Sequence, residues 1–156
     1  MHSYADKLLR VNLSSGLVKA EPIAEETIAD FMGPRGIGIK YLYDELRPGI
    51  DPLGPENKLF FGAALLGGTT GQGFSRWLVV TKSPLSGGIT RAVGGAEFGA
   101  RLKFAGLDAI IVEGRAEKPC YIYVEDGKAE ILDGGDLWGL DTEETQKRLQ
   151  QRHGAQ

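Results

Sequence analysis

Polar and apolar residues alternate near both ends of the chain, and apolar residues run together in its middle. Each pattern predicts its own elements. Asp6 to Leu13 alternates, Ser14-Ser15-Gly16 interrupts it, and Leu17 to Glu21 resumes, which predicts a β-hairpin. Cys120 to Glu125 and Lys128 to Leu132 predict a second hairpin around Asp126-Gly127, a pair favoured where both turn residues need positive φ. Lys58 to Ala64, Ser75 to Lys82 and Asp108 to Glu113 are strand-length runs, and the last is apolar enough for a central strand covered on both faces. Helical spacing marks Ala24 to Met32 (Ile28, Phe31, Met32), stopped by Gly33-Pro34, and Ile39 to Leu46 (Ile39, Leu42, Tyr43, Leu46). It also marks Ala96 to Phe104, with Phe98, Leu102 and Phe104 inward and Gly106 as its stop. A polar helix from Thr142 to Arg152 follows, capped by Asp141, with Leu149 its main apolar residue. Arg47 to Asn57 holds three prolines and two glycines and reads as an ordered loop. Both hairpins lead into a helix with a Glu-Glu-Thr start, at 25–27 and 143–145, an echo that suggests two similar halves.

Composition narrows the classes. A chain of 156 residues with 42% hydrophobic and 25% charged content fits one globular domain, here taken as 1–156. A net charge of −3 offers no basic face for nucleic acid. No apolar run reaches the roughly 20 residues of a membrane span, and the N-terminus lacks a signal pattern, so a cytoplasmic location is expected. The single cysteine, Cys120, lies in a strand pattern and reads as core.

Candidate chemistry concentrates between Gly62 and Gly106, where two glycine-rich loops bracket the strand around Trp77 to Lys82. Glycine lets a ligand or another backbone come close, so the pair of loops suggests main-chain N–H groups facing a large polar ligand, with Arg76 as its charge. Tight turns in a β-rich fold are the competing explanation. Arg91 and Arg101 could meet phosphate or pair at the surface. Gly33-Pro34-Arg35-Gly36-Ile37-Gly38 reads as a glycine-rich turn opening a helix, but it fails both phosphate motifs: Tyr41 stands where the dinucleotide fingerprint needs glycine, and Ile39-Lys40 follows where a P-loop needs Lys-Ser/Thr. His2 and His153 sit at opposite ends and read as solvated, and Asp108 and Glu113 as solvated strand ends. Without a nucleophile motif or a metal-ligand cluster, the chain reads as a cradle.

One further pattern is specific. Lys7-Leu8-Leu9-Arg10-Val11-Asn12-Leu13, Gly33 to Gly38 with Leu42 to Leu46, Asp51 to Leu59, Val80 to Leu85, and Leu102 to Gly106 with Asp108 to Ile111 together resemble, in order, the N-terminal domain of the tungsten-containing aldehyde:ferredoxin oxidoreductases. The resemblance implies an α+β fold of two similar halves, built from β-hairpins and mixed sheet with short helices, that forms a base for a bis-pterin cofactor. It implies an enzyme that oxidises an aldehyde to a carboxylate at tungsten, or molybdenum, and passes electrons through a [4Fe–4S] cluster to ferredoxin. The cluster's ligands and the acid–base residues would lie outside this chain. Arg76 matches the family arginine between pterin and cluster, and positions 93 and 95 match pterin contacts, so Gly73, Ser75, Arg76, Val93, Gly94 and Gly95 become the expected cofactor-binding set.

Two departures stand out. Val93 replaces the family's asparagine, and Phe74 and Trp77 stand where a smaller residue and a tyrosine are expected. The expected partners are the rest of the oxidoreductase or a partner subunit, ferredoxin, an aldehyde and, through exposed apolar surface, a second copy of the chain. The alternative is a stand-alone, non-catalytic module that binds pterin or docks on a partner.

Overall fold

The computed structural model describes residues 3–154. In chain order these form β1 (Lys7–Asn12), β2 (Leu17–Pro22), α1 (Glu25–Phe31), α2 (Pro34–Glu45), β3 (Lys58–Ala63), β4 (Trp77–Lys82), β5 (Ile89–Gly94), α3 (Phe98–Phe104), β6 (Ala109–Glu113), β7 (Cys120–Glu125), β8 (Lys128–Asp133) and α4 (Thr142–His153). The fold is α+β, as expected. A mixed six-stranded sheet runs β2-β1-β6-β3-β4-β5, and β7-β8 forms a separate two-stranded sheet. Only β1 and β6 pair in parallel within the large sheet; its other neighbours are antiparallel.

Alternation along each strand builds a core on both faces. Leu8, Phe60, Leu78, Val80, Ala109 and Ile111 point to one side, where Ile28 of α1 and Ile37 and Leu42 of α2 cover them. Leu9, Val11, Ala63 and Ile110 point to the other, toward Leu102 of α3 and the Ile122, Val124 and Ile131 side chains of the β7–β8 hairpin. The apolar run in β6 is thereby explained, because β6 lies between β1 and β3 and needs apolar residues at successive positions. At the β7–β8 turn Asp126 and Gly127 take φ of 48° and 73°, as that dipeptide predicted.

The structure corrects several expectations. Helix α2 begins at Pro34, so Gly36 and Gly38 are helical rather than part of a turn. A Cβ on Gly38 would lie 2.6 Å from the Phe60 ring, so close packing on the sheet explains that glycine. The helix buries Ile37, Gly38 and Leu42 and leaves Ile39 and Tyr43 outside, one step around from the expected stripe. Its residues are apolar on nearly every side, so spacing alone could not choose the face. In α3, Leu102 is buried but Phe98 and Phe104 are exposed. Cys120 is on β7 but only partly buried.

Three polar residues expected in solvent are engaged. Asp108 is buried against Lys103, and Glu113 is paired with Lys58. His153 stacks on Tyr123 at 4.0 Å and shares a 2.9 Å hydrogen bond with the Tyr121 hydroxyl. His2 lies outside the described residues.

Candidate functional site at the glycine-rich end of the sheet

The second glycine loop is largely a strand. Ser83 to Gly88 makes a turn, and Ile89–Gly94 returns as β5, the exposed edge of the large sheet. Its mixed polar and glycine residues gave no strand period. Pairing with β4 makes the strand, which is a tertiary effect. The register sets Trp77 opposite Gly94 and Leu78 opposite Val93. Val93 and Gly94 are therefore strand residues pointing to opposite faces, with Val93 on the side of Leu78 and α2.

Arg76, Gly94 and Gly95 converge at this end. The Arg76 carbonyl accepts a 2.8 Å hydrogen bond from Ala64 N–H, and Gly99, in the first turn of α3, packs so closely on it that a Cβ would approach to 2.9 Å. Trp77 reaches across the strand pair, and its indole Nε1–H donates to the Gly95 carbonyl at 2.8 Å. The indole lies on Gly94, where a Cβ would sit 2.4 Å from Cε2. Phe98 packs at 4.8 Å from the indole, and Phe61 stacks at 6.4 Å. Gly73 and Ser75 lie on the exposed loop leading to Arg76. Phe74 folds back over Gly71, with ring atoms 2.3 Å from where a Cβ would be.

The loop glycines thus fall into two kinds. Gly71 and Gly94 lie under aromatic rings. Gly73 and Gly95 face open space, with nothing within 4 Å of an added Cβ, and Gly73 has φ of 81°. The aromatic pair was present in the sequence only as two departures from a family pattern; its role needed the register.

The charges near this end also differ from those elsewhere. The Arg76 and Arg91 side chains have no ion-pair or hydrogen-bond partner among the described residues, and both are exposed. Arg101 is taken by Glu97 at 3.1 Å. At the opposite end of the strands Arg10 meets Glu21 at 2.9 Å and Glu45 at 2.8 Å, and Lys58 meets Glu45 at 2.7 Å and Glu113 at 2.6 Å. Burial alone would raise the Glu45 and Glu113 carboxyls, but hydrogen bonds from Arg10 and Lys58 to Glu45, and from Lys58 and Asn12 to Glu113, outweigh it and hold both below their ordinary range. Burial opposes the charge on Lys58 in the same way, and bonds to Glu113 and Glu45 raise its pKa above the ordinary lysine value.

Comparison with known proteins decides the family. The family described as "Aldehyde ferredoxin oxidoreductase, N-terminal domain" matches residues 8–156. The chain belongs to that family. It is 49% identical over 154 residues, 99% of its length, to the tungsten-containing aldehyde ferredoxin oxidoreductase of Pyrococcus horikoshii, and covers 25% of that protein. It is 47% identical over 156 residues, its whole length, to the Pyrococcus furiosus protein of the same name, covering 26% of it. In structure it is similar to a chain of the active site complex BamBC of benzoyl coenzyme A reductase in complex with 1,5-dienoyl-CoA. The TM-score is 0.93 at 31% identity, over 96% of this chain and 23% of that one. The chain thus spans about a quarter of the length of the relatives it matches, as the N-terminal domain of an oxidoreductase family. Among the described residues no helix is long and apolar enough to cross a membrane, and no group of three or more His, Cys, Asp or Glu residues could hold a metal.

Proposed function

We propose that residues 1–156 act as one folded unit, the cofactor bed of an aldehyde ferredoxin oxidoreductase, holding one edge of a tungsten pterin. The open backbone at Gly73 and Gly95, beside an Arg76 side chain with no partner among the described residues, carries the reading. A flat, anionic, phosphate-bearing ligand needs main-chain N–H donors, space above them and a fixed positive charge, and this end of the sheet has all three. The residues present therefore fit the group.

When bound, the metal–pterin supplies two-electron chemistry at the metal, and the chain's own part is positioning and electrostatics. Gly73, Ser75 and Gly95 present main-chain N–H groups. The guanidinium of Arg76 neutralises anionic oxygen atoms, and with its charge uncommitted it loses no internal partner on binding. Gly94 keeps the strand end close to the indole. Val93 offers van der Waals contact without an amide, so this bed relies more on backbone and arginine than one with asparagine there. The remainder of the enzyme, or a partner subunit, supplies the cluster, the substrate pocket and the acid–base groups, and electrons leave to ferredoxin.

The test is Arg76→Ala in the protein as its reading frame encodes it. Tungsten, molybdenum and phosphorus are measured by elemental analysis, and released pterin by fluorescence. Lowered pterin occupancy is expected, with an unchanged melting temperature once cofactor is stripped from both proteins. Full occupancy would sink the assignment.

A further inference from the structure

Resting on the cofactor-bed reading, we infer that Trp77 is a positioning residue, whose indole N–H fixes the Gly94–Glu97 segment in its ligand-holding shape. Three observations carry this. First, the segment is held at its ends, by the β4 pairing of Gly94 and the Arg101 contacts of Glu97, with few restraints between them. It leaves the edge strand at Gly94, passes Ala96 at φ of 58° and enters α3 at Glu97, a helix start without a side-chain cap. Second, Trp77 restrains it twice: the ring presses on Gly94 and Nε1–H binds the Gly95 carbonyl at 2.8 Å. Third, the indole is held in turn. Phe98 lies against it at 4.8 Å and Phe61 at 6.4 Å, and its backbone is paired in β4.

The consequence for the ligand is geometric. A carbonyl held by the indole cannot rotate toward the open side of Gly95, where it would repel an anion. The Gly95–Ala96 peptide plane is fixed, and with it the direction of the Ala96 N–H and the end of the segment that carries Gly95 N–H. Neither tyrosine nor phenylalanine carries an N–H at that point of the ring. Tyrosine's side-chain donor is the hydroxyl at its ring tip, so a donor at this point of the ring comes with tryptophan, at a position where the family resemblance leads one to expect tyrosine.

An isosteric replacement separates ring from hydrogen bond. In the protein as its reading frame encodes it, Trp77 alone is replaced, by site-specific incorporation, with β-(3-benzothienyl)alanine, in which sulfur takes the place of N–H. Three quantities are read: melting temperature, the rate of cleavage after Glu97 by a glutamate-specific protease on cofactor-stripped protein, and pterin content as isolated. On cofactor-stripped protein a melting temperature within about 2 °C and cleavage faster by about fivefold, the scale of one net hydrogen bond, are expected, and as isolated a pterin content lowered at least twofold. Unchanged cleavage would overturn the inference at the loop, whatever the pterin does. Faster cleavage with full pterin content would overturn its bearing on the ligand. Absence of pterin from the parent protein would sink the cofactor-bed reading itself, while the cleavage rates still decide whether the indole holds the loop.

Discussion

Arg10 and Arg76 lie toward opposite ends of the large sheet and make opposite use of the same side chain. Arg10 spends its guanidinium inside the molecule, on Glu21 of β2, Glu45 of α2 and Glu113 of β6. With Lys58 it ties four strands and a helix through groups only 16–24% exposed. Arg76 has its backbone carbonyl committed, to Ala64 and against Gly99, and its guanidinium committed to nothing described. A charge consumed internally contributes to the fold. A charge held rigidly at its root and left free at its tip, beside open glycine backbone, is available to a ligand. The contrast separates scaffold from site better than glycine content, since Gly36 and Gly38 on α2 serve packing alone.

The sharpest way to break the comparison is at the most buried pair. Lys103 and Asp108 are 10% and 5% exposed, and Lys103 also donates to the Ser3 carbonyl at 2.9 Å. Asp108→Ala leaves that ammonium buried without its anion and is expected to cost about 3–5 kcal/mol in urea unfolding. The double variant Lys103→Met, Asp108→Leu should recover most of the loss. If the single variant costs under about 1 kcal/mol, internally consumed charges do not support this fold.

The Arg10 network comes next. Arg10→Met removes charged hydrogen bonds to Glu21 and Glu45 and is expected to cost about 2 kcal/mol. Its pH dependence has a definite sign. Glu45 and Glu113 are held below their ordinary range, so their contribution is complete above the unfolded glutamate value of about 4.3 and is lost as pH falls through the folded values. Lys58 is raised, so its contribution is complete below the unfolded lysine value, about 10.4, and is lost as pH rises through the folded one. Denaturant midpoints taken from pH 7 down to pH 3 should fall more steeply for the parent than for Arg10→Met. Parallel curves would show that the network does not set the acid limit.

At the open end two neighbouring glycines make a finer test. Gly94→Ala drives a methyl into the Trp77 ring and is expected to cost about 1–3 kcal/mol. Gly95→Ala meets nothing within 4 Å and should leave the melting temperature unchanged within about 2 °C. Equal effects would show that the ring does not sit as described.

Much of this was legible in the sequence, and the failures share one cause. Hairpins, the central strand and the α4 cap come from short-range chemistry: Asp126-Gly127 needs positive φ, and the Asp141 carboxylate accepts from Glu144 N–H at 2.8 Å. Arg76 and Gly95 were likewise visible, through order and resemblance. Strand β5, the facing of α2 and the burial of Asp108 were not, because each is set by a packing partner rather than by its own local pattern: the pairing with β4, Phe60 on β3, and the Lys103 ammonium turned inward by α3. Trp77 was visible as a residue, but its hydrogen bond needed the pairing that sets Gly94 opposite it.

The smallest effect on stability should come with the largest on ligand. Arg76→Ala removes an exposed guanidinium that holds nothing among the described residues, so the unfolding free energy of cofactor-stripped protein should change by less than about 0.5 kcal/mol. Arg76→Lys keeps the charge but loses the planar fork, and its pterin content should fall between parent and alanine variant. Arg91→Ala is the matched control. That side chain is also exposed and unpaired among the described residues, but it is opposite Val80, further along the strand from Gly94. If the open end of the sheet is the bed, pterin content will rank parent and Arg91→Ala above Arg76→Lys, and Arg76→Ala last, while the four proteins, stripped of cofactor, unfold together. Equal loss from Arg91→Ala would mean that general positive charge along β5, rather than the site built around Gly95, attracts the ligand.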